Sequence, residues 1–279
     1  MEPSLYICAT PIGNLEDITL RVLKTLNEVD LIAAEDTRNT LRLLNHFDIK
    51  TSMTSYHEFN KFDKAYELVD KMKSGTKIAL VTDAGTPAIS DPGEVIVRLA
   101  LEAGLTVTSL PGACAAVTAL SMSGQKTRRF AFEAFLPPDK KERAEILETL
   151  KKEYRTTIIY EAPHHLKATL NELLKNLGDR SLTICREISK IHEEVRLTTL
   201  SEAIEYYSQN EPRGEFVLCL AGADKEADKQ AEKESWEKLS IEEHMELYLG
   251  QGMDKKDAMK QVAKDRMVSK REIYNALIK

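Results

Sequence analysis

Over its first 110 residues the chain alternates short apolar runs with amphipathic stretches, and this rhythm restricts the fold more than any other feature. The runs Leu5–Thr10, Leu31–Ala34, Ser52–Tyr56, Lys77–Thr82 and Thr106–Leu110 have the length and side chains of strands. Between them, Thr19–Glu28, Thr37–Phe47, Asn60–Ser74 and Gly93–Ala103 carry helical patterns. In the first, apolar residues at 20, 22, 23, 26 and 29 fall close to one helical face. Strand–helix–strand alternation requires crossover connections, so the expected fold class is α/β with a mostly parallel sheet.

The rhythm changes after Leu110. Residues 111–124 read as a glycine-initiated helix, and the strand-like runs Phe130–Phe135, Thr156–Tyr160, Ser181–Arg186, Glu193–Thr199 and Glu215–Ala221 follow with fewer helices between them. The later runs are read as joined by short polar connections, which predicts a second, mixed sheet with hairpin character. The expected division is an N-terminal α/β domain over 1–111, a second α/β domain over 112–223, a polar helical linker over 224–238 and a small helical appendage over 239–279. Ser240–Leu249, Asp254–Asp265 and Ser269–Ile278 read as three short helices with Ser or Asp at each start.

Apolar residues make up 42% of the chain and charged residues 30%, which suits a globular protein and excludes collagen-like and disordered classes. Apolar runs break well before twenty residues, so no membrane-spanning helix is expected. The first residues carry no basic stretch ahead of their apolar run, which reads as a strand rather than a signal peptide and implies a cytoplasmic location. Cys8, Cys114, Cys185 and Cys219 are scattered and read as small buried hydrophobes. The histidines show no metal spacing; His164 and His165 are expected to point apart at a helix start, and no metal is expected. A net charge of −6 argues against a surface that coats nucleic acid. Residues 252–279, however, hold eight Lys/Arg against four acids, a local net charge of +4.

A parallel sheet binds its ligand beyond the C-terminal ends of its strands. There the sequence places Thr10-Pro-Ile-Gly-Asn-Leu-Glu-Asp17, Asp83-Ala-Gly-Thr-Pro-Ala-Ile-Ser-Asp-Pro-Gly93 and Pro111-Gly-Ala-Cys-Ala115. Such bends bring main-chain groups close to a ligand, although each alone also reads as an ordinary turn. No G-x-G-x-x-G, no G-x-x-x-x-G-K-[ST] and no G-x-S-x-G is present, which argues against dinucleotide, P-loop and hydrolase-elbow sites. Glu35, Asp36 and Arg38 follow the second strand, His57 and Glu58 the third; both groups suit acid–base work or, equally, a helix cap and a polar loop. Tyr160-Glu-Ala-Pro-His-His165 and Arg186-Glu-Ile-Ser-Lys190 close later strands.

Nine collinear segments, ATPIGNLED (9–17), AAEDTR (33–38), SYHEFN (55–60), LVTDAGTPAISDPG (80–93), LPGACA (110–115), FEAFLP (132–137), YEAPHH (160–165), REISKIHEE (186–194) and GEFVLCLAG (214–222), together resemble the tetrapyrrole methylase superfamily. The resemblance covers about Leu5 to Ala223 and is closer to the ribosomal RNA branch; tetrapyrrole-modifying members as a rule carry G-x-G-P-G-D where Pro11–Asp17 stands. It implies two α/β domains with an S-adenosylmethionine cleft between them, and methylation of a cytidine 2′-hydroxyl (position 1402) in 16S rRNA of the small ribosomal subunit by a homodimer. It further implies that Pro11 and Gly13 line the cleft and that Asp83, Ala84, Gly85, Ile89 and Ser90 hold the methionine portion of the cofactor. Cys114 and Ala115 stand where the family commonly has Ser and Ala; Tyr160 and Ala221 would contact adenosine.

Glu35, Asp36, His57, Glu58 and Glu161 are then candidates for proton removal or ribose orientation, with Arg38 and Arg186 on phosphate. In the appendage, Lys255, Lys256, Lys260, Lys264, Lys270 and Arg271 are candidate rRNA contacts, on helices that resemble the helix-turn-helix-like appendage of that branch. The alternatives are a tetrapyrrole methyltransferase on the same scaffold and a non-catalytic RNA-binding assembly factor.

Overall fold

The alternating runs of the first half pair side by side in the computed structural model, which describes residues 2–227, 230, 236 and 238–278. Strands β1 (Leu5–Cys8), β2 (Leu31–Ala34), β3 (Met53–Ser55), β4 (Ile78–Val81) and β5 (Val107–Leu110) form one parallel sheet in the order β3-β2-β4-β1-β5. Successive side chains face opposite sides of a strand. Ile78 and Leu80 therefore join Leu5, Leu68 and Ile96 in a core beneath α3 (Lys61–Lys73) and α4 (Gly93–Glu102). Ala79 and Val81 join Val22, Leu26 and Leu44 beneath α1 (Leu20–Glu28) and α2 (Thr37–His46). Burial on both faces explains why β4 reads as an unbroken apolar run. Because all five strands are parallel, their C-terminal ends share one edge.

The second half holds α5 (Ala115–Met122), β6 (Phe130–Phe135), α6 (Lys140–Lys151), β7 (Thr156–Glu161), α7 (Pro163–Leu177), β8 (Ser181–Arg186), β9 (Glu194–Thr199), α8 (Leu200–Gln209) and β10 (Phe216–Leu220). Its sheet runs β6-β7-β10-β8-β9, with only β6 and β7 parallel. Three helices, α6 to α8, lie between these five strands, one fewer than in the first half; α6 hides its few apolar residues, such as the buried Leu147 and Leu150, among charged ones. The connections correct one expectation. Only β8 and β9 form a hairpin-like pair. The 16 residues between β9 and β10 contain α8, and β10 returns antiparallel between β7 and β8. The His164 and His165 rings also lie together, with centroids 4.1 Å apart, rather than apart. Both sit in the first turn of α7, where no preceding turn restricts the side chains.

Both sheets belong to one compact unit, residues 1–222; residues 223–279 form another. In the second unit, α9 (Ile241–Gly250), α10 (Lys255–Asp265) and α11 (Lys270–Ala276) bury Met245, Ala258, Val262 and Ile273 together. Ser240 with Glu243, and Ser269 with Glu272, form capping boxes, and Asp254 caps α10. The polar stretch expected as a linker over 224–238 lies in part outside the described residues. Among the described residues, no helix is long and apolar enough to cross a membrane.

Candidate active site

The three bends at the edge of the first sheet are tied into one framework. Thr10 N–H donates to Gly85 O at 2.9 Å and Gly85 N–H returns a bond to Thr10 O at 3.0 Å. Thr10 Oγ1 also donates to Thr82 O at 3.0 Å, and Thr86 Oγ1 to Ala113 O at 2.9 Å. Glycine is required here for two different reasons. Gly85 has φ +89°, a backbone that L side chains rarely adopt. Gly112 presses on the first loop so closely that an added Cβ would lie 2.6 Å from Ala9 Cβ.

These bends face the ends of β7 and β10 across a cavity of about 480 Å³, within the usual range for small-molecule sites. Of the residues singled out from sequence, Asp83, Ala84, Gly85, Ile89 and Ser90 line it from the β4–α4 loop. Cys114 and Ala115 line it at the start of α5, Tyr160 and Glu161 at the end of β7, and Glu35 at the end of β2.

The β4–α4 loop is held in a costly shape. Ala88 and Ser90 have φ of 68° and 64°, left-handed conformations that persist in a non-glycine residue only when surroundings enforce them. Asp91 does so: its Oδ1 accepts from Ala88 N at 2.8 Å and Gly93 N at 2.7 Å. Its Oδ2 is buried with no hydrogen-bond partner, and Asp91 also lines the cavity. Burial pushes its pKa up, against the two N–H bonds that favour the charge. Asp91 was not among the sequence candidates, although Asp-Pro-Gly at a helix start is a capping signal.

Acidic groups dominate the strand-end wall. Glu35 Oε2 accepts from Thr82 Oγ1 at 2.5 Å and Asp83 N at 3.3 Å. Asp83 Oδ2 accepts from Asn39 at 3.1 Å. Its pKa is raised chiefly by burial, with Glu35 and Asp36 adding to the rise and the Asn39 bond opposing it. On the opposite wall, Glu161 is 6% exposed; one carboxylate oxygen accepts from Ala162 N at 2.8 Å and the other from the Thr169 hydroxyl. Tyr160 Oη accepts from Ala116 N at 3.0 Å. It thereby satisfies an N–H at the start of α5, where Cys114 provides no side-chain cap. Burial pushes the Tyr160 phenol up to about 12, and its ring lies 5.0 Å from Phe132 and 5.6 Å from Phe135.

Other sequence candidates lie outside the cavity. Ala221 follows β10, which runs antiparallel to β7 with Phe216 opposite Glu161. Ala221 therefore lies at the far end of the sheet, and Glu215, Phe216 and Val217 line the cavity in its place. Pro11 faces a neighbouring groove with Asn39 and Arg42. Gly13 packs against the loop after β8, where an added Cβ would lie 2.5 Å from Lys190 Cγ. Asp36 caps α2 and holds Arg38 at 2.6 Å; Arg38 keeps the Asp36 pKa near about 2. Glu58 pairs with Lys61 at 2.6 Å, and His57 Nδ1 is buried without a partner beside the Phe59 ring. Arg186 bonds Glu194 and Arg213 O. Lys255, Lys256, Lys260, Lys264, Lys270 and Arg271 are all exposed on α10 and α11. Sequence reasoning also missed Thr82, Phe135 and Ile188; each sits within or beside a quoted segment, but nothing in the residue types marked them.

Comparison with known proteins is consistent across sequence and fold. The tetrapyrrole (corrin/porphyrin) methylases match residues 4–204. A ribosomal RNA small subunit methyltransferase I from Halalkalibacterium halodurans is 50% identical over 272 residues, covering 98% of this chain and 93% of that protein. One from Bacillus subtilis is 47% identical over 272 residues, with the same coverage of 98% and 93%. Among solved structures, a uroporphyrin-III C-methyltransferase from Thermus thermophilus in complex with S-adenyl homocysteine superposes with a TM-score of 0.55 at 20% identity, covering 78% of this chain and 96% of that one. The chain belongs to the tetrapyrrole (corrin/porphyrin) methylase family.

Proposed function

We propose that this protein is an S-adenosylmethionine-dependent methyltransferase of small-subunit ribosomal RNA, acting on the 2′-hydroxyl of a cytidine at position 1402 of 16S rRNA. The observation that carries the reading is the convergence of three bonded bends on one cavity, in a chain nearly half identical over its length to small-subunit rRNA methyltransferases.

The residues present suit this methyl donor. A sulfonium and an ammonium are cationic, and Glu35, Asp83 and Asp91 put carboxylates in the wall, one with an unpartnered oxygen. Tyr160 and Phe135 supply an aromatic surface for a purine, and Gly85 lets main chain approach without a side chain between. The bound donor supplies a methyl group already activated by the positive sulfur.

What remains for the protein is alignment of the ribose oxygen and removal of its proton. Glu35 is the better placed of the cavity acids for the second task. Thr82 and Asp83 N–H hold its Oε2 and leave Oε1 for a hydroxyl. Both oxygens of Glu161 are engaged, so Glu161 braces the site through Thr169, which Arg143 also contacts at 2.9 Å. Asp36, His57 and Glu58 lie outside the cavity and are not assigned a proton-transfer role.

The test offers labelled donor with small subunits lacking the mark, with bare 16S rRNA and with a tetrapyrrole, followed by nucleoside mass spectrometry. Transfer to RNA yielding 2′-O-methylcytidine is expected; label on the tetrapyrrole alone, or none, rejects the reading. Glu35→Gln should lower kcat by roughly 10²–10⁴, far more than it weakens donor binding, to which Asp83 and Asp91 also contribute.

A further inference from the structure

Residues 103–132 contain no Asp or Glu, in a chain with 45 of them among 279 residues. This run covers β5, α5 and the segment that leads into β6, and its only charges are Lys126, Arg128 and Arg129. All three are exposed, and none is ion-paired among the described residues, whereas Arg143, Arg155, Lys167, Arg186 and Arg196 of the same unit all hold carboxylates.

The segment that carries them is anchored. Gln125 Nε2 donates to Ser181 Oγ at 3.3 Å and Thr183 Oγ1 at 3.2 Å, and Gln125 N to Ser123 Oγ at 3.1 Å. Thr183 Oγ1 donates to Ser123 O, and Thr156 Oγ1 to Lys126 O, both at 2.7 Å. Lys126 sits on pinned backbone, and Arg128 and Arg129 lie between it and the paired Phe130, so the short segment loses limited backbone freedom on meeting an anion. We propose that Lys126, Arg128 and Arg129 form a phosphate-binding patch for the RNA substrate, separate from the cavity. The inference rests on the proposed function for the identity of the polyanion.

Position supports this. Phe130 pairs with Thr156 and Phe135 with Tyr160, so the patch sits at the end of the second sheet away from the cavity. Five residues of strand separate the two, about 17 Å, a span of several nucleotides. Contacts at that distance seat the flanking RNA without touching the reacting ribose. Guanidinium groups also suit phosphate oxygens in bidentate geometry. A second copy of the chain fits this face less well. A two-fold contact would set these three cations against their own copies.

The test is the salt dependence of binding between the full-length protein and small ribosomal subunits lacking the mark. Each phosphate contact contributes about 0.7–0.9 to the slope of log K against log salt. Lys126→Gln/Arg128→Gln/Arg129→Gln should flatten that slope by roughly 2 and weaken binding near 0.15 M salt by roughly ten- to hundredfold. Affinity for S-adenosylhomocysteine should be unchanged, and Arg128→Lys/Arg129→Lys should keep the slope. A triple variant with the wild-type slope overturns the proposal, as does one that changes only the oligomeric state, which would make the face a subunit contact. If the triple variant flattens the slope yet wild-type protein transfers no methyl group, the functional reading fails while the patch stands.

Discussion

Gly112→Ala probes the site's geometry with a single added methyl group. That methyl would sit 2.6 Å from Ala9 Cβ, in a wall where Ala9 is 2% exposed. Carbon atoms settle at about 3.5–4.0 Å, so the Pro111–Ala115 bend must shift by roughly 1 Å. Ala9 cannot yield instead, because it follows β1, an inner strand paired on both sides with β4 and β5. The shift lengthens the 2.9 Å bond from Thr86 to Ala113 and carries Cys114 and Ala115 out of register with Gly85. Overpacking of this kind costs about 1–3 kcal/mol, and misplacement by 1 Å costs catalysis about a hundredfold. Thermal unfolding, calorimetry with S-adenosylhomocysteine and kcat/KM on small subunits measure the three consequences. Gly104→Ala is the control: it strains a φ of +72°, with nothing within 4 Å of the new methyl, so it should lower stability without weakening cofactor binding. If Gly112→Ala binds and turns over like wild type, the bend does not shape the site.

Three further predictions follow from individual contacts. Tyr160→Phe strips Ala116 N of its acceptor at the start of α5 and should cost about 1 kcal/mol in denaturant unfolding, with weaker cofactor binding. Asp91→Ala leaves Ala88 N and Gly93 N unpaired and should cost roughly 2–4 kcal/mol, whereas Asn retains both bonds. Because the folded pKa of Asp91 is raised, its contribution to stability falls as pH rises through that value; the stability difference should move in favour of Asp91→Asn from about pH 4 upward. Arg38→Ala should raise the Asp36 midpoint, seen by carboxyl NMR, from about 2 toward the ordinary range; at neutral pH the melting temperature should barely move, because the pair is exposed.

The first sheet is readable from sequence because its information is local: the inner runs β1, β2 and β4 are apolar on both faces, and each crossover has its own helical period. The convergence of the bends follows from strand direction, since parallel strands deliver their loops to one edge. The second half is harder for a stated physical reason. The place of β10 depends on pairing with β7 and β8, distant in sequence, and nothing within Phe216–Leu220 encodes its direction. Ala221, which the resemblance put at the adenosine, follows the end of β10 opposite to Glu215, Phe216 and Val217, which line the cavity. Asp91 escaped notice because its importance lies in the left-handed backbone of Ala88 and Ser90, a conformation that neither residue type announces. Asp36 and Glu58 left two readings open in the sequence, acid–base work or a cap and a polar loop, and only the contacts separate them: one caps α2 and the other pairs with Lys61.

Amide hydrogen exchange with and without S-adenosylhomocysteine tests the central claim most directly, since main chain bent around the donor would be shielded by it. Added ligand should slow exchange at Gly85, Ile89, Ser90, Ala115 and Ala116, and leave residues 255–271 unchanged. Unaltered exchange in the two bends, or protection confined to the C-terminal helices, would contradict the account.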